Sequence, residues 1–183
     1  MRHLAIALMA AACAFGAETV LTFDPQKTSI HWTLGTVLHT VHGTFQLKSG
    51  TIHFDPSSGQ ASGSLVVNAA SGESGNESRD KKMHQSILES GRFAEVVFTP
   101  DKVIGAVATE GKSTIQVYGN FVLHGSAHEF TMPVEVEMKG GQAITSTHFS
   151  VPFIKWGLKN PSTFMLRVND SVDVEIQATA RLN

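Results

Sequence analysis

Nine histidines in 183 residues make metal chemistry the first possibility to test, with His39 and His42 three apart and His124 and His128 four apart. Such spacings converge on one ion when a helix holds both side chains on a face, and neither pair falls in a helical pattern. The single cysteine, Cys13, leaves no thiolate set, so no metal and no other cofactor is expected. Nucleophilic catalysis has less support still. There is no G-x-S-x-G, and the serines and histidines are scattered through turns with no sharp strand-to-helix elbow to expose one. Glu135 and Glu137 are paired acids, but two apart in an alternating run they share the wet face of a strand. His84, beside Arg79 and Asp80, is the one histidine placed to act as a charge switch, against the simpler reading of a solvated helix face with a local ion pair. The chain is not expected to be an enzyme.

The elements around these residues are nearly all strands. Ile30, Trp32 and Leu34 alternate with Ser29, His31 and Thr33; Phe45 and Leu47 alternate with Thr44, Gln46 and Lys48. Ile115, Val117, Gly119, Phe121 and Leu123 do the same, and Phe130, Met132, Val134, Val136 and Met138 oppose Glu129, Thr131, Glu135 and Glu137. Val174, Ile176 and Ala178 close the pattern. Turn signals at Asp24-Pro25, at 55–59 and at Gly140-Gly141 separate these runs, while 69–75 reads as a small polar loop. About eight or nine antiparallel strands linked by short hairpins fit an up-and-down barrel that closes its own edges, and a sandwich fits nearly as well. Gly43, Gly63, Gly119 and Ala178 interrupt the large residues of the apolar face. They are either space left for a ligand inside the barrel or bulges of a tightly curved wall.

One stretch breaks the alternation. Residues 76–100 carry a helical pattern, with Ser78 as N-cap, Asp80 in the first turn, Met83 and Ile87 on one face, and Gly91 as the stop. The apolar stripe is about two turns long, so the helix must lie against the sheet or across a barrel mouth. Arg79, Asp80, Met83, His84 and Ile87 are therefore the expected mouth or lid residues. Trp32, Phe45, Phe54, Ile115, Val117, Phe121, Phe130, Val134, Val136, Val174 and Ile176 are the inward-facing set expected to supply an apolar lining.

A net charge of −2 provides no basic field, which removes nucleic acid as a partner. The first residues, MRHLAIALMAAACAFGA, have a basic start, a short apolar run and small residues at Ala14 and Gly16, the pattern of an export signal cut after Gly16. Cys13 after Ala10-Ala11-Ala12 loosely matches a lipoprotein box, although a larger aliphatic is usual where Ala10 stands. Lipidation is the less favoured alternative. The expected organisation is a signal peptide at 1–16 and one β-barrel domain at 17–183, located in the bacterial periplasm or secreted.

Several short motifs, in order, resemble the YceI-like family of bacterial polyisoprenoid-binding proteins. They are Phe23-Asp24-Pro25 with Thr28-Ser29-Ile30, Val41-His42-Gly43-Thr44-Phe45, Gly50-Thr51-Ile52-His53-Phe54-Asp55, and Ser78-Arg79-Asp80 with Met83-His84. Tyr118-Gly119-Asn120-Phe121-Val122-Leu123-His124-Gly125 and the run from Lys155 to Ser162 extend the similarity to the C-terminal strands. Phe93-Ala94-Glu95 departs from it, since relatives commonly have proline after the aromatic residue. The resemblance implies a lipocalin-like barrel of antiparallel strands, a helix near its opening, and an apolar tunnel able to hold a prenyl chain such as that of a quinone or polyprenol. The implied partner is a long-chain isoprenoid or other lipid. A homodimer, and proximity to a membrane through cargo exchange, are compatible with that reading. The competing class is a structural or adhesive exported β domain with a solid core.

Overall fold

The structure is a computed structural model that describes residues 18–163 and 167–183. The expected export signal, with Cys13, lies outside the described residues. Nine strands form one antiparallel sheet that closes on itself: β1 (Thr19–Phe23), β2 (Ser29–Gly35), β3 (Thr40–Phe54), β4 (Ala61–Glu73), β5 (Glu95–Ile104), β6 (Gly111–Leu123), β7 (Ser126–Lys139), β8 (Gln142–Val151) and β9 (Val172–Leu182). β3 through β9 pair in sequence order, and β2 lies between β9 and β3. β1 fills the same gap lower down, pairing Leu21 with Ile52 of β3 and with Leu182 of β9. β1 and β2 are thus two halves of one stave, and the barrel has eight staves. The break between the halves is a 3-10 turn, Pro25–Lys27, where the proline ring sets φ and Asp24 Oδ1 accepts from the Gln26 N–H at 3.0 Å.

β4 runs to Glu73, so the segment 69–75 expected as a loop is mostly wall. Its small polar residues hid the strand, because side chains there take over from the ladder. Ser71 Oγ accepts from the Gln46 N–H at 2.8 Å and donates to the Asn68 carbonyl at 2.6 Å, where the β3–β4 register slips.

The helix begins earlier than expected. Asn76, not Ser78, is the N-cap: its Oδ1 accepts from the Arg79 N–H at 3.0 Å. A short α-helix, α1 (Glu77–Lys82), then widens into a π turn at Met83–Ile87, with Leu88 N–H donating to the Met83 carbonyl at 2.9 Å. Gly91 is not the stop; Glu89, at φ 46°, reverses the chain.

The interior is apolar at both ends. Phe98, Leu123, Met132, Phe149, Val151, Phe153 and Leu158 form one buried group at the α1 end, and Ile115, Val136, Ala143 and Ala180 a second at the other. No large side chain among the described residues is fully buried. Inward residues such as Phe45, Val117, Phe121, Val134 and Ile176 stay half-buried, because they face space instead of one another.

The glycines of the apolar face belong to the curved wall. A Cβ on Gly43 would lie 2.2 Å from the Glu73 carbonyl oxygen and 2.3 Å from the Trp32 ring; one on Gly119 would lie 2.2 Å from the Thr99 oxygen, beside the β5–β6 register slip. Gly63 has φ 98° and a Cβ there would meet the Thr51 oxygen at 2.2 Å. These positions allow close backbone approach and bulging. Of the four small residues, Ala178 alone lines open space.

Candidate functional site: a tunnel along the barrel

The eight staves enclose a cavity of about 870 Å³, within the range of lipid- and cofactor-sized sites. On β3 its wall extends from Val41 to Phe54, on the order of 40 Å of strand at about 3.3 Å per residue. All of the residues expected from sequence to line such a space do so, except Phe130. Phe130 also points inward, but it packs at 5.3 Å on Phe149, 5.8 Å on Phe121 and 5.7 Å on Trp156. Trp156 reaches it from the irregular turn after β8 and stacks flat on His128 at 4.3 Å. Phe121 and Phe149 keep a face to the tunnel, and together with Trp156 they shield Phe130 from it.

The lining is nearly free of polar chemistry. Thr145 and Thr147 face the tunnel, yet their hydroxyls donate to the Ala178 carbonyl at 3.3 Å and the Pro133 carbonyl at 2.6 Å, leaving their methyl groups to the cavity. Thr28 likewise donates to the Asp24 carbonyl at 2.8 Å. Trp32 is 6 % exposed, and its indole N–H is buried with no acceptor among the described residues. That nitrogen is sealed into the wall over Gly43.

The two ends differ. At one, the rim is Thr19, Pro56, Ala61, Ala108 and Thr109; at the other it is Thr36, Asn76, Ser78, Arg79, Lys82, Pro161, Thr163 and Val168. Arg79 and Lys82 are the only charged residues lining the cavity among those described, and both sit on α1. Arg79 is fixed, donating Nε–H to Ser74 Oγ at 2.7 Å and a terminal N–H to the Ser74 carbonyl at 2.8 Å. Ser74 Oγ in turn donates to Asp80. Burial works against the Asp80 charge, but the Ser74 hydrogen bonds and the Arg79 guanidinium outweigh it and hold the carboxyl below its usual range. Lys82 Nζ donates to the Pro161 carbonyl at 3.1 Å, joining the helix to the segment after β8.

Met83 and Ile87 line the tunnel; Asp80 and His84 do not. His84 works as a brace. Its Nε2–H donates to the Gly72 carbonyl at 2.8 Å, and Nδ1 is hydrogen-bonded with Ser90 Oγ at 3.0 Å. Gly72 matters here, because a Cβ would lie 2.4 Å from Phe45 Cε1 and 3.0 Å from Met83 Cε. The π turn thus lowers Met83 onto β4 and Phe45.

Several lining residues escaped the sequence reading. Phe98 and Phe149 sit in short strand runs whose alternation signals them. Phe153 and Leu158 lie in an irregular turn with no period, and Lys82 stands outside the apolar stripe of the helix, so no sequence pattern marks it. Among the described residues no group of three or more His, Cys, Asp or Glu is arranged to hold a metal, and no helix is long and apolar enough to cross a membrane.

Solved structures with this fold include Burkholderia cenocepacia BcnA, at 16 % identity and TM-score 0.71 over 86 % of this chain and 98 % of that one. A polyisoprenoid binding domain from Saccharophagus degradans, implicated in plant cell wall breakdown, matches at 12 % identity and TM-score 0.64 over 89 % and 98 %. The Campylobacter jejuni YceI protein matches at 18 % and 0.63 over 77 % and 84 %. No curated protein sequence matches the chain. The sequence model of the YceI-like domain matches residues 21–180, and the chain belongs to that family.

Proposed function

We propose that this protein is an exported carrier that encloses a long apolar chain, of a polyisoprenoid, a quinone or a similar lipid, for storage or transport. The observation that carries the reading is the tunnel itself: about 870 Å³ of space, walled by apolar side chains along the barrel, with charge at one mouth only. A structural domain would gain by filling that volume, since each missing contact in a core forfeits dispersion and transfer energy. The Saccharophagus degradans neighbour is a polyisoprenoid binding domain, and its cargo is of the same class.

The energetics need no charged anchor. At about 0.8 kcal/mol per buried CH₂, ten to fifteen chain carbons give roughly 8–12 kcal/mol of gross transfer energy. A micromolar complex needs about 8 kcal/mol, and the costs of association and ordering take part of the gross figure. Length and apolarity therefore select the cargo, and the Arg79 and Lys82 mouth orients whatever polar head it has. Binding without catalysis fits a lining in which, among the described residues, there is no Asp, Glu, His or Cys to serve as acid, base or thiolate.

Organic extraction and native mass spectrometry of protein purified from its own host test the reading. A co-purifying long-chain lipid is the expected result; protein that stays ligand-free and excludes apolar dyes points to the structural class. Val117→Glu places a carboxyl in the tunnel wall and should lower affinity for a prenyl probe by more than about tenfold, whereas Glu135→Lys on the wet face should leave it unchanged. Export is tested by N-terminal sequencing of periplasmic material, where a chain starting at Ala17 supports cleavage, retained Met1 opposes it, and a lipid on Cys13 selects the lipoprotein form.

A further inference from the structure

The two most exposed large apolar side chains among the described residues are neighbours: Val37 at 69 % and Leu38 at 77 %, at the tip between β2 and β3. The tip is built and not loose. Thr36 Oγ1 accepts from the Leu38 and His39 N–H groups at 3.3 and 3.1 Å and donates to the His39 carbonyl at 2.6 Å. Thr36 N–H donates to the same carbonyl at 3.0 Å, and Val37 N–H donates to the Arg167 carbonyl at 3.2 Å. With its backbone donors satisfied, the turn holds both side chains out into water, where they contribute nothing to the fold.

Thr36 also lines the tunnel, in the same rim as Lys82, Pro161 and Val168. Whatever covers the tip therefore covers the charged mouth. We propose that Val37 and Leu38 insert into a lipid bilayer and seat the α1-end mouth of the tunnel on its surface, so that cargo moves between membrane and barrel without crossing water. This rests on the reading of the tunnel as a lipid carrier. A bilayer suits the site better than a protein does, because two side chains on a narrow tip fall far short of the roughly 800 Å² per partner of a stable protein interface. Insertion of a small apolar element at the headgroup boundary needs no such area. The charge at the mouth agrees: among the described residues Arg79 and Lys82 line it and no acid does, and although Asp80 beside Arg79 offsets part of that charge, Lys82 leaves a cation on the same rim as the apolar tip, which favours anionic headgroups. The attachment is slight enough to be reversible, as a shuttle requires.

The test uses the purified chain and its V37S/L38S variant with vesicles of phosphatidylethanolamine and phosphatidylglycerol. An unchanged urea midpoint first shows that the variant folds. The wild-type chain is expected to float with empty vesicles, the variant about tenfold less, and phosphatidylcholine vesicles to capture less of either. With a fluorescent prenyl lipid in the vesicles, uptake by the wild type should rise in proportion to vesicle concentration and fall about tenfold in the variant, while both bind the detergent-solubilised probe equally. Equal flotation of the two proteins, or no flotation of the wild type, overturns the proposal. A dimer of the wild type that V37S/L38S abolishes, without flotation, also overturns it and gives the tip to a second copy. Flotation that depends on the tip, from a protein that never binds the solubilised probe, upholds the docking surface and rejects the carrier.

Discussion

Glu89 Oε2 and His124 Nε2 lie 2.6 Å apart, and these two residues are the only non-glycine positions of the described chain with left-handed backbone, φ 46° and 52°. One ends the helical segment and the other begins the turn from β6 to β7. Each conformation is unfavourable for a residue with a Cβ, so the pair offsets strain at the point where the helical segment is tied to the wall. Phe93 packs its ring 4.2 Å from that of His124, and Lys159 Nζ lies 3.8 Å from Glu89 Oε1. The hydrogen bond from His124 is the main influence on the Glu89 carboxyl and, despite some opposing desolvation, holds it below its ordinary 4.5.

That depression fixes the sign of a pH effect. A carboxyl with a lowered folded value stabilises the protein fully above its ordinary value and loses that contribution as pH falls through the folded one. The wild type should therefore exceed Glu89→Gln in urea midpoint near neutrality, and the gap should close as pH drops below 4.5. A gap that stays constant into acid would remove the pair as its source. At the partner position, His124→Gly should be more stable than His124→Ala by about 1 kcal/mol, since glycine accepts the left-handed backbone without cost.

Met83 and Ile87 face the tunnel from the π turn, while the staves satisfy their backbone bonds without them. Replacing both by serine should speed release of a fluorescent prenyl ligand by about tenfold, with a loss of stability smaller than the roughly 4–10 kcal/mol expected for two solid-core truncations. An unchanged off-rate with a collapsed urea midpoint would make the helix structural and not a lid.

Asn76 and Ser78 separate the two candidate caps of α1. Asn76→Ala removes the acceptor for the Arg79 N–H and should cost about 1 kcal/mol, whereas Ser78→Ala, inside the helix, should cost almost nothing. Equal effects in a urea titration would return the cap to Ser78.

Gly119 and Gly91 make a matched test of the wall. A Cβ on Gly119 meets the Thr99 oxygen at 2.2 Å and Pro100 Cα at 2.7 Å, so Gly119→Ala should shift β5 against β6 and cost about 1–3 kcal/mol. Nothing lies within 4 Å of a Cβ on Gly91, and Gly91→Ala should be neutral or stabilising by up to about 1 kcal/mol. Tolerance at 119 would mean that the glycine leaves space and is not a close approach.

The barrel was legible because its staves alternate: from Phe130 to Met138 every second residue is apolar, and one wet face is enough to fix the other. Periodicity assigns a face, however, not a depth. It puts Phe130 on the inside with Val134 and Val136, but it cannot know that Trp156 arrives from an aperiodic turn to cover it. The same limit hid Phe153 and Leu158. The cap was displaced because Asn76 and Ser78 are both good capping residues, and only the turn from β4 decides between them. The glycines were ambiguous for a related reason, since a missing side chain leaves the same mark on a sequence whether it makes room for cargo or for a neighbouring carbonyl.

The split stave has a kinetic consequence. β2 closes the barrel against β9, with Ile30 beside Ile176, so the seam joins strands from near opposite ends of the chain. The hairpins from β5 to β8 can form locally, but β9 comes only after the segment 152–171, and the closing contact must wait for it and carries the entropy of a very long loop. Folding should accordingly be slow for the chain's size, with hairpins first and the seam last. Until β9 docks, the chain remains an open, curled sheet, and a ribosome still holding that strand would keep it in that state.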